Sequence, residues 1–286
     1  MSGASLGIGL ALFAAVATAL PHFLWKAAGD RLVVRAVIGG TYSAIMWPVA
    51  LAIGLPPADL WPWLAASAAL HLTYQMTLVY AYDRIDFSLA FPVARGLAPL
   101  GTAVLGVALL GDRLAPLALL GIALVSVGLL VLSRSRAGAG GTVGRAGLIS
   151  ALAAGLLVTA YSLVDAGGVR ADNTRWTFIA WMFALDGIGM VVIAGVLRRG
   201  ELCASLAKVW RGGVMSGLFA LLGYGAILLA YDLIPVGVAS ALREMSVVFA
   251  ALLGAVFLRE RVRGRRAWGI AMGLAGSLLI LAARLA

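Results

Sequence analysis

One cysteine, two histidines and twelve acidic residues are all that this 286-residue chain offers to several kinds of chemistry. With Cys203 alone, neither an internal disulfide nor a thiolate metal cluster can form. His22 and His71 are far apart in sequence, and no G-x-x-x-x-G-K-[ST] run occurs, so no metal, nucleophile or ATPase signature is present. No catalytic residue and no cofactor is expected, and any work done on a solute must draw on a gradient. Charge is scarce too, at 12% of residues against 63% hydrophobic, with a mean hydropathy of +1.03. A water-soluble core cannot bury that much apolar surface, so lipid must be part of the solvent. The net charge of +10 raises nucleic acid as a partner. The basic residues, however, occupy short gaps between apolar runs and form no helix face interleaved with aromatics.

What is present is a series of ten apolar segments, most near the ~20 residues that cross hydrocarbon as helix. They are Ser5–Trp25, Leu32–Leu55, Trp61–Tyr82, Phe87–Leu110, Pro116–Ser133, Arg145–Asp165, Trp176–Leu197, Gly212–Tyr231, Val236–Leu258 and Ala267–Ala283. The first lacks a basic flank on its N-terminal side and reads as a span rather than a cleaved signal. Connections such as Asp112–Ala115 and Asp232–Pro235 hold no room for a soluble domain.

The chain repeats itself. Ala81–Arg113 returns as Ala230–Arg261: Tyr82-Asp83 aligns with Tyr231-Asp232, Arg95 with Arg243, Gly106 with Gly254, and Asp112-Arg113 with Glu260-Arg261. Residues 1–136 and 145–286 are thus expected to be two five-helix copies, joined by the flexible AGAGGTVG linker at 137–144. Five spans is an odd number, so the second copy must enter the membrane from the opposite side. That is the inverted-repeat plan of many secondary transporters, with the site near the midplane between repeats.

Sixteen of the 22 basic residues fall in one set of alternate loops with their flanks, and four in the other loops and termini; the remaining two are Arg95 and Arg243. Basic loops favour the cytoplasm, which puts both termini outside.

FPVARGLAPLGTAVLGVALLGDRLAPLALLGIALVSVGLLVLS and SALREMSVVFAALLGAVFLRERVRGRRAWGIAMGLAGSLLILA each resemble an EamA-type half of the drug/metabolite transporter superfamily. The shared features are small residues in the fourth span, an acidic-basic pair at the turn and a glycine-rich fifth span. The resemblance implies an all-α membrane protein: ten transmembrane helices in two inverted five-helix repeats, with alternating access for a small metabolite. It implies cytoplasmic termini, opposite to the charge count. The ARG and LREMSVVFA segments also resemble a subgroup associated with phosphonate use.

Arg95 and Arg243 are the leading candidates for substrate binding. A charge inside a span costs roughly 2.5–3.5 kcal/mol on insertion scales and needs a partner or a wet cavity. The two lie about 5 and 6 Å from their span midpoints, in opposite senses once the repeats are inverted. They are expected above and below one cavity, as forked donors to a carboxylate or phosphonate. The alternative is internal pairing, with Glu244 or Asp186, or snorkelling to the interface.

Glu244, whose repeat counterpart is Gly96, is a candidate to bind a substrate amine, carry a proton or pair with Arg95. Asp186 is the other proton-coupling candidate, with a hydrogen-bonded packing role as its alternative. His71, Tyr74, Gln75 and Leu78 share one helix face, and Tyr224 corresponds to Gln75. These are expected to form a cavity wall or interhelical glue. Trp47 and Trp181 lie deep enough to line the cavity. His22, Tyr161 and Asp165, near span ends, read as interfacial or gate residues. Asp112 and Glu260 are expected to cap the helices that follow them.

The composite expectation is a multi-pass secondary transporter of the cell inner membrane that moves a small polar metabolite, anionic or zwitterionic, such as an amino acid or phosphonate. Alternatives are an exporter of neutral or cationic drug-like compounds, or a non-transporting membrane partner. The expected partners are the bilayer and the solute, with a homodimer left open.

Overall fold

The computed structural model describes residues 3–24, 30–82, 87–134, 145–171, 174–249 and 264–283. Among them ten helices follow one another: α1 (Gly3–Leu24), α2 (Arg31–Ile53), α3 (Trp61–Tyr82), α4 (Phe87–Leu110), α5 (Pro116–Arg134), α6 (Arg145–Arg170), α7 (Arg175–Leu197), α8 (Leu202–Leu233), α9 (Val236–Arg243) and α10 (Arg265–Ala282). No strand occurs among the described residues. The 137–144 linker, Glu260 and the far half of the ninth span lie outside them.

Helix ends follow local chemistry. Asp30 caps α2 by accepting from the amides of Leu32 (3.1 Å) and Val33 (3.3 Å). Gly54 ends the same helix at φ 103°, a left-handed conformation that L side chains rarely adopt.

Three elements depart from the hydropathy reading. α6 continues five residues past Asp165, and there a Cβ on Gly167 would strike the ring of Trp63 and one on Gly168 that of Phe178. α8 begins at Leu202, ten residues before the expected Gly212. Its 32 residues span about 48 Å, more than the ~30 Å hydrocarbon core, so its first turns extend beyond the membrane. The ninth span is not continuous. α9 stops at Arg243, Glu244 forms a turn, and helix resumes over 245–249. The Val247 amide bonds the Glu244 carbonyl three residues back, at 3.1 Å.

The molecule is apolar outward. Leu51, Leu55, Leu109, Leu156, Leu197, Trp268 and Leu278 are exposed, while His71, Arg95, Asp165, Asp186, Arg243 and Glu244 are buried. Four described helices, Arg31–Ile53, Ala146–Arg170, Arg175–Leu197 and Leu202–Leu233, are long and apolar enough to cross a bilayer.

Packing obeys an approximate twofold axis that exchanges the halves. α1 packs on α8 as α6 packs on α3, and α2 touches α8 as α7 touches α3. α2 packs on its own counterpart α7, α4 on α9, and α5 on α10. The two outer self-paired crossings are closed by glycine. At α2–α7, a Cβ on Gly39 would sit 2.9 Å from the Gly187 Cα. At α5–α10, a Cβ on Gly121 would sit 2.6 Å from the Gly276 carbonyl oxygen, and one on Gly128 2.9 Å from that of Gly269. Small residues let backbones meet where lipid supplies no hydrophobic drive between helices.

Candidate functional site

The pseudo-twofold leaves a cavity of about 160 Å³ between the halves. The first four helices of each half line it: Thr18 on α1, Arg35 and Tyr42 on α2, His71, Tyr74 and Gln75 on α3, and Arg95 on α4. From the second half come Tyr161 on α6, Phe183 and Asp186 on α7, Ser216 and Tyr224 on α8, and Arg243 on α9. Neither α5 nor α10 contributes; that pair closes the outside.

Arg95 and Arg243 both face this cavity, but not from above and below. They converge on one carboxylate. Arg95 Nη1 donates to Glu244 Oε1 at 2.8 Å, and Arg243 Nε reaches the same oxygen at 3.4 Å. The opposite displacements along the two helices bring the arginines together because α4 and α9 pack directly on each other. Glu244 itself is fully buried and does not line the cavity. At its repeat counterpart Gly96 a Cβ would lie 3.0 Å from the Leu130 side chain, so a larger residue there would require Leu130 to shift. One carboxylate therefore serves two guanidiniums. Arg243 Nη1 also donates to the Tyr231 hydroxyl at 3.3 Å, while its Nη2 is buried without a hydrogen-bond partner among the described residues.

A second cluster lies across the cavity. His71 is held edgewise between two carboxylates. Its Nε2 is 2.9 Å from Asp165 Oδ2, and its Nδ1 is 3.9 Å from Asp186 Oδ1. Its ring stacks on Tyr161 with centroids 4.2 Å apart. Asp165 also accepts from the Ser67 hydroxyl at 2.5 Å and from the Tyr224 hydroxyl. Asp186 accepts from the Tyr42 hydroxyl and, at 3.5 Å, from Gln75 Nε2. The cluster joins α2 and α3 of one half to α6, α7 and α8 of the other.

One end of the bundle is tied shut across the halves. Arg170, at the end of α6, donates to Asp112 Oδ1 at 2.8 Å, to the Tyr231 carbonyl at 2.7 Å and to the Ile234 carbonyl at 3.2 Å. Asp112 Oδ2 accepts from the Val236 amide at 2.7 Å. Asp112 thus caps α9 of the other half, not the helix α5 that follows it. Arg175 pairs with Asp232 beside it.

Of the candidates from sequence, His71, Tyr74, Gln75, Asp186, Tyr224, Arg95 and Arg243 are gathered around one cavity. Trp181 is not among its lining residues. Its indole N–H donates to the Gly54 carbonyl at 2.9 Å, and its ring packs between Trp47 and Trp61. Trp181 thus ties α7 to the end of α2 near one face of the bundle. The side chain of His22 lies outside the described residues. Asp165 reads as a span-end residue in sequence, yet it is fully buried. Tyr42 and Arg35 draw no attention in sequence. The signal that would have found Tyr42 is its place on the α2 face that meets α7, marked by Gly39 and Ser43 at helical spacing.

Residues 145–282 match the EamA-like transporter family. A solved crystal structure superposes on 96% of this chain and 98% of its own, with a TM-score of 0.76 at 18% identity, a likeness that establishes the fold. No curated protein matches the chain. Residues 145–282 thus form a domain of the EamA-like transporter family, a family of membrane transporters within the drug/metabolite transporter superfamily, in a chain whose described residues form ten helices.

Proposed function

We propose that this protein is a secondary transporter that carries a small anionic or zwitterionic metabolite, of the amino-acid or phosphonate type, across the cell inner membrane by alternating access. One observation carries the reading: Arg95 and Arg243 face one cavity, and Arg243 keeps Nη2 buried and without a hydrogen-bond partner among the described residues. A buried donor without a partner costs about 1–3 kcal/mol, which a carboxylate or phosphonate oxygen would recover. The Arg170–Asp112 tie supports alternating access, because it closes one end with contacts that a rocking motion of the halves would break. The two repeats of this mechanism are 1–136 and 145–286.

The test begins with a thermal-shift screen of purified protein against amino acids, phosphonates, sugars and nucleobases. Flux of the strongest hit into proteoliposomes follows. Arg243→Lys keeps the charge and loses the fork, so it is expected to raise KM about tenfold, a charged hydrogen bond being worth roughly 1.5–3 kcal/mol. Unchanged transport in both Arg95→Ala and Arg243→Ala would end the anion reading, as would a screen in which neutral sugars alone stabilise the protein.

A further inference from the structure

The cluster around His71 is not needed to hold an anion, and its geometry is that of a proton site. Asp165 accepts from the Ser67 and Tyr224 hydroxyls, and His71 Nε2 lies 2.9 Å from its Oδ2. A carboxylate so supplied is acceptor-only, which assigns the hydrogen on Nε2 to the histidine. Asp186 receives Tyr42 and Gln75. The remaining ring nitrogen, Nδ1, faces Asp186 at 3.9 Å, too far for a hydrogen bond and close enough for an ion pair. His71 and Asp186 line the cavity, whereas Asp165 lies behind them.

We propose that His71 is the coupling site of this transporter: it binds one proton at Nδ1, and the proton travels with the substrate anion in the same direction. The inference rests on the transporter reading above. On loading, a proton from the cavity bonds to Nδ1, and the imidazolium donates to Asp165 through Nε2 and forms an ion pair with Asp186 on its Nδ1 side. On release, the same proton leaves Nδ1 to the cavity, and the neutral ring keeps its Nε2–H on Asp165. No other atom changes hands.

Charge decides which substrate accompanies it. The ionic groups facing His71 and the cavity are Arg35 on α2, Arg95 on α4, Asp165 on α6, Asp186 on α7 and Arg243 on α9, with Glu244 behind the arginines. Tyr42, Tyr74, Tyr161, Tyr224 and Tyr231 add neutral hydroxyls. Three arginines thus oppose three carboxylates while the ring is neutral. A proton on His71 leaves one positive charge in excess beside the cavity. A monoanionic group cancels it, so each ligand favours the other. Glu244 is a poor carrier by the same logic, since protonating it would leave two adjacent guanidiniums with no counter-charge.

The direct test needs no substrate. His71 is the only other imidazole besides His22, so ring-labelled histidine in a His22→Gln background reports His71 alone. Infrared difference spectra of that protein in liposomes between about pH 5 and pH 9 should show its imidazole titrating, and pH jumps should drive a transient charge movement. His71→Gln and Asp165→Asn are expected to lose that charge movement. A silent imidazole, no charge movement, or undiminished movement in both variants overturns the proposal; the first two readings stand even where a variant fails to fold. A second arm follows labelled L-glutamate and 2-aminoethylphosphonate. One proton per anion supports about tenfold accumulation per pH unit of gradient, and uptake indifferent to the gradient would overturn the coupling while leaving transport intact. A titrating His71 with charge movement, beside no flux of any compound that stabilises the protein, would support the proton site and sink the transporter reading.

Discussion

At the scale of single residues, the arrangement turns on Glu244. It is fully buried, and one of its oxygens serves two arginines from opposite halves of the chain. Removing one member of such a set leaves uncompensated charge in the interior, which typically costs about 3–5 kcal/mol. Glu244→Ala is therefore expected to unfold at markedly lower temperature or denaturant in detergent. A paired Arg95→Met, Glu244→Met variant should recover part of the loss, and the double-mutant cycle measures the coupling. Equal stability of Glu244→Ala and the parent would show that the carboxylate is not the partner. Repeat alignment alone pairs Arg95 with Arg243 and exposes the asymmetry of Glu244 against Gly96, so the candidates are legible in the sequence. Their convergence is not. Position along a helix says nothing about the direct packing of α4 on α9, or about how far a guanidinium reaches. Asp165 was hidden for another reason. The AGG that follows it looks like a loop, whereas in the fold α6 runs on to Arg170 with Gly167 and Gly168 close against two aromatic rings.

At the scale of elements, most helices are legible from hydropathy to within about two residues, α6, α8 and the broken ninth span being the exceptions, while their contacts reside in glycines whose role depends on the partner. Gly187 and Gly195 illustrate this on one helix. A Cβ on Gly187 would strike the Gly39 backbone, whereas one on Gly195 would meet nothing within 4 Å. Gly187→Ala must push α2 and α7 apart, and overpacking of this kind costs roughly 1–3 kcal/mol or more. Gly195→Ala should be neutral or stabilising by up to about 1 kcal/mol through helix propensity. Thermal unfolding of the two variants side by side checks the pair; equal melting temperatures would mean that α2 and α7 do not meet at Gly187.

The same crossing is tied at its end by Asp30 and Arg198, Nε to Oδ2 at 2.6 Å. Burial pushes the Asp30 carboxyl up, but the bond and charge of Arg198, with the amides of Leu32 and Val33, hold it below its usual 3.8. A depressed carboxyl contributes stability that is present above that value and is lost as pH falls through the folded one. Asp30→Asn keeps the helix cap and removes the charge. Its deficit at neutral pH, about 1 kcal/mol or less for a partly exposed pair, should vanish in acid well below pH 3.8. A deficit that persists there would assign it to the cap instead.

At the scale of the whole molecule, two halves that enter the membrane oppositely share one cavity, and the side from which it fills depends on orientation. Arg35 lines the cavity one turn into α2, at the end of the bundle that carries the α1–α2 and α7–α8 connections. The Arg170–Asp112 tie closes the other end. Orientation follows from charge rather than shape. The connections at the Arg35 end belong to the set rich in arginine, and such loops stay in the cytoplasm. The charge bias thus predicts an inward-reaching state with both termini outside. The chain carries its own reporter. Cys203 is the sole cysteine, it is exposed, and it is the second residue of α8, whose length puts its first turns beyond the hydrocarbon. A membrane-impermeant maleimide is expected to leave Cys203 unlabelled on intact spheroplasts and to label it once the membrane is permeabilised, with Cys203→Ser as the blank. Labelling of intact spheroplasts would reverse the orientation, put the termini in the cytoplasm, and make the Arg170–Asp112 tie the inner closure rather than the outer one.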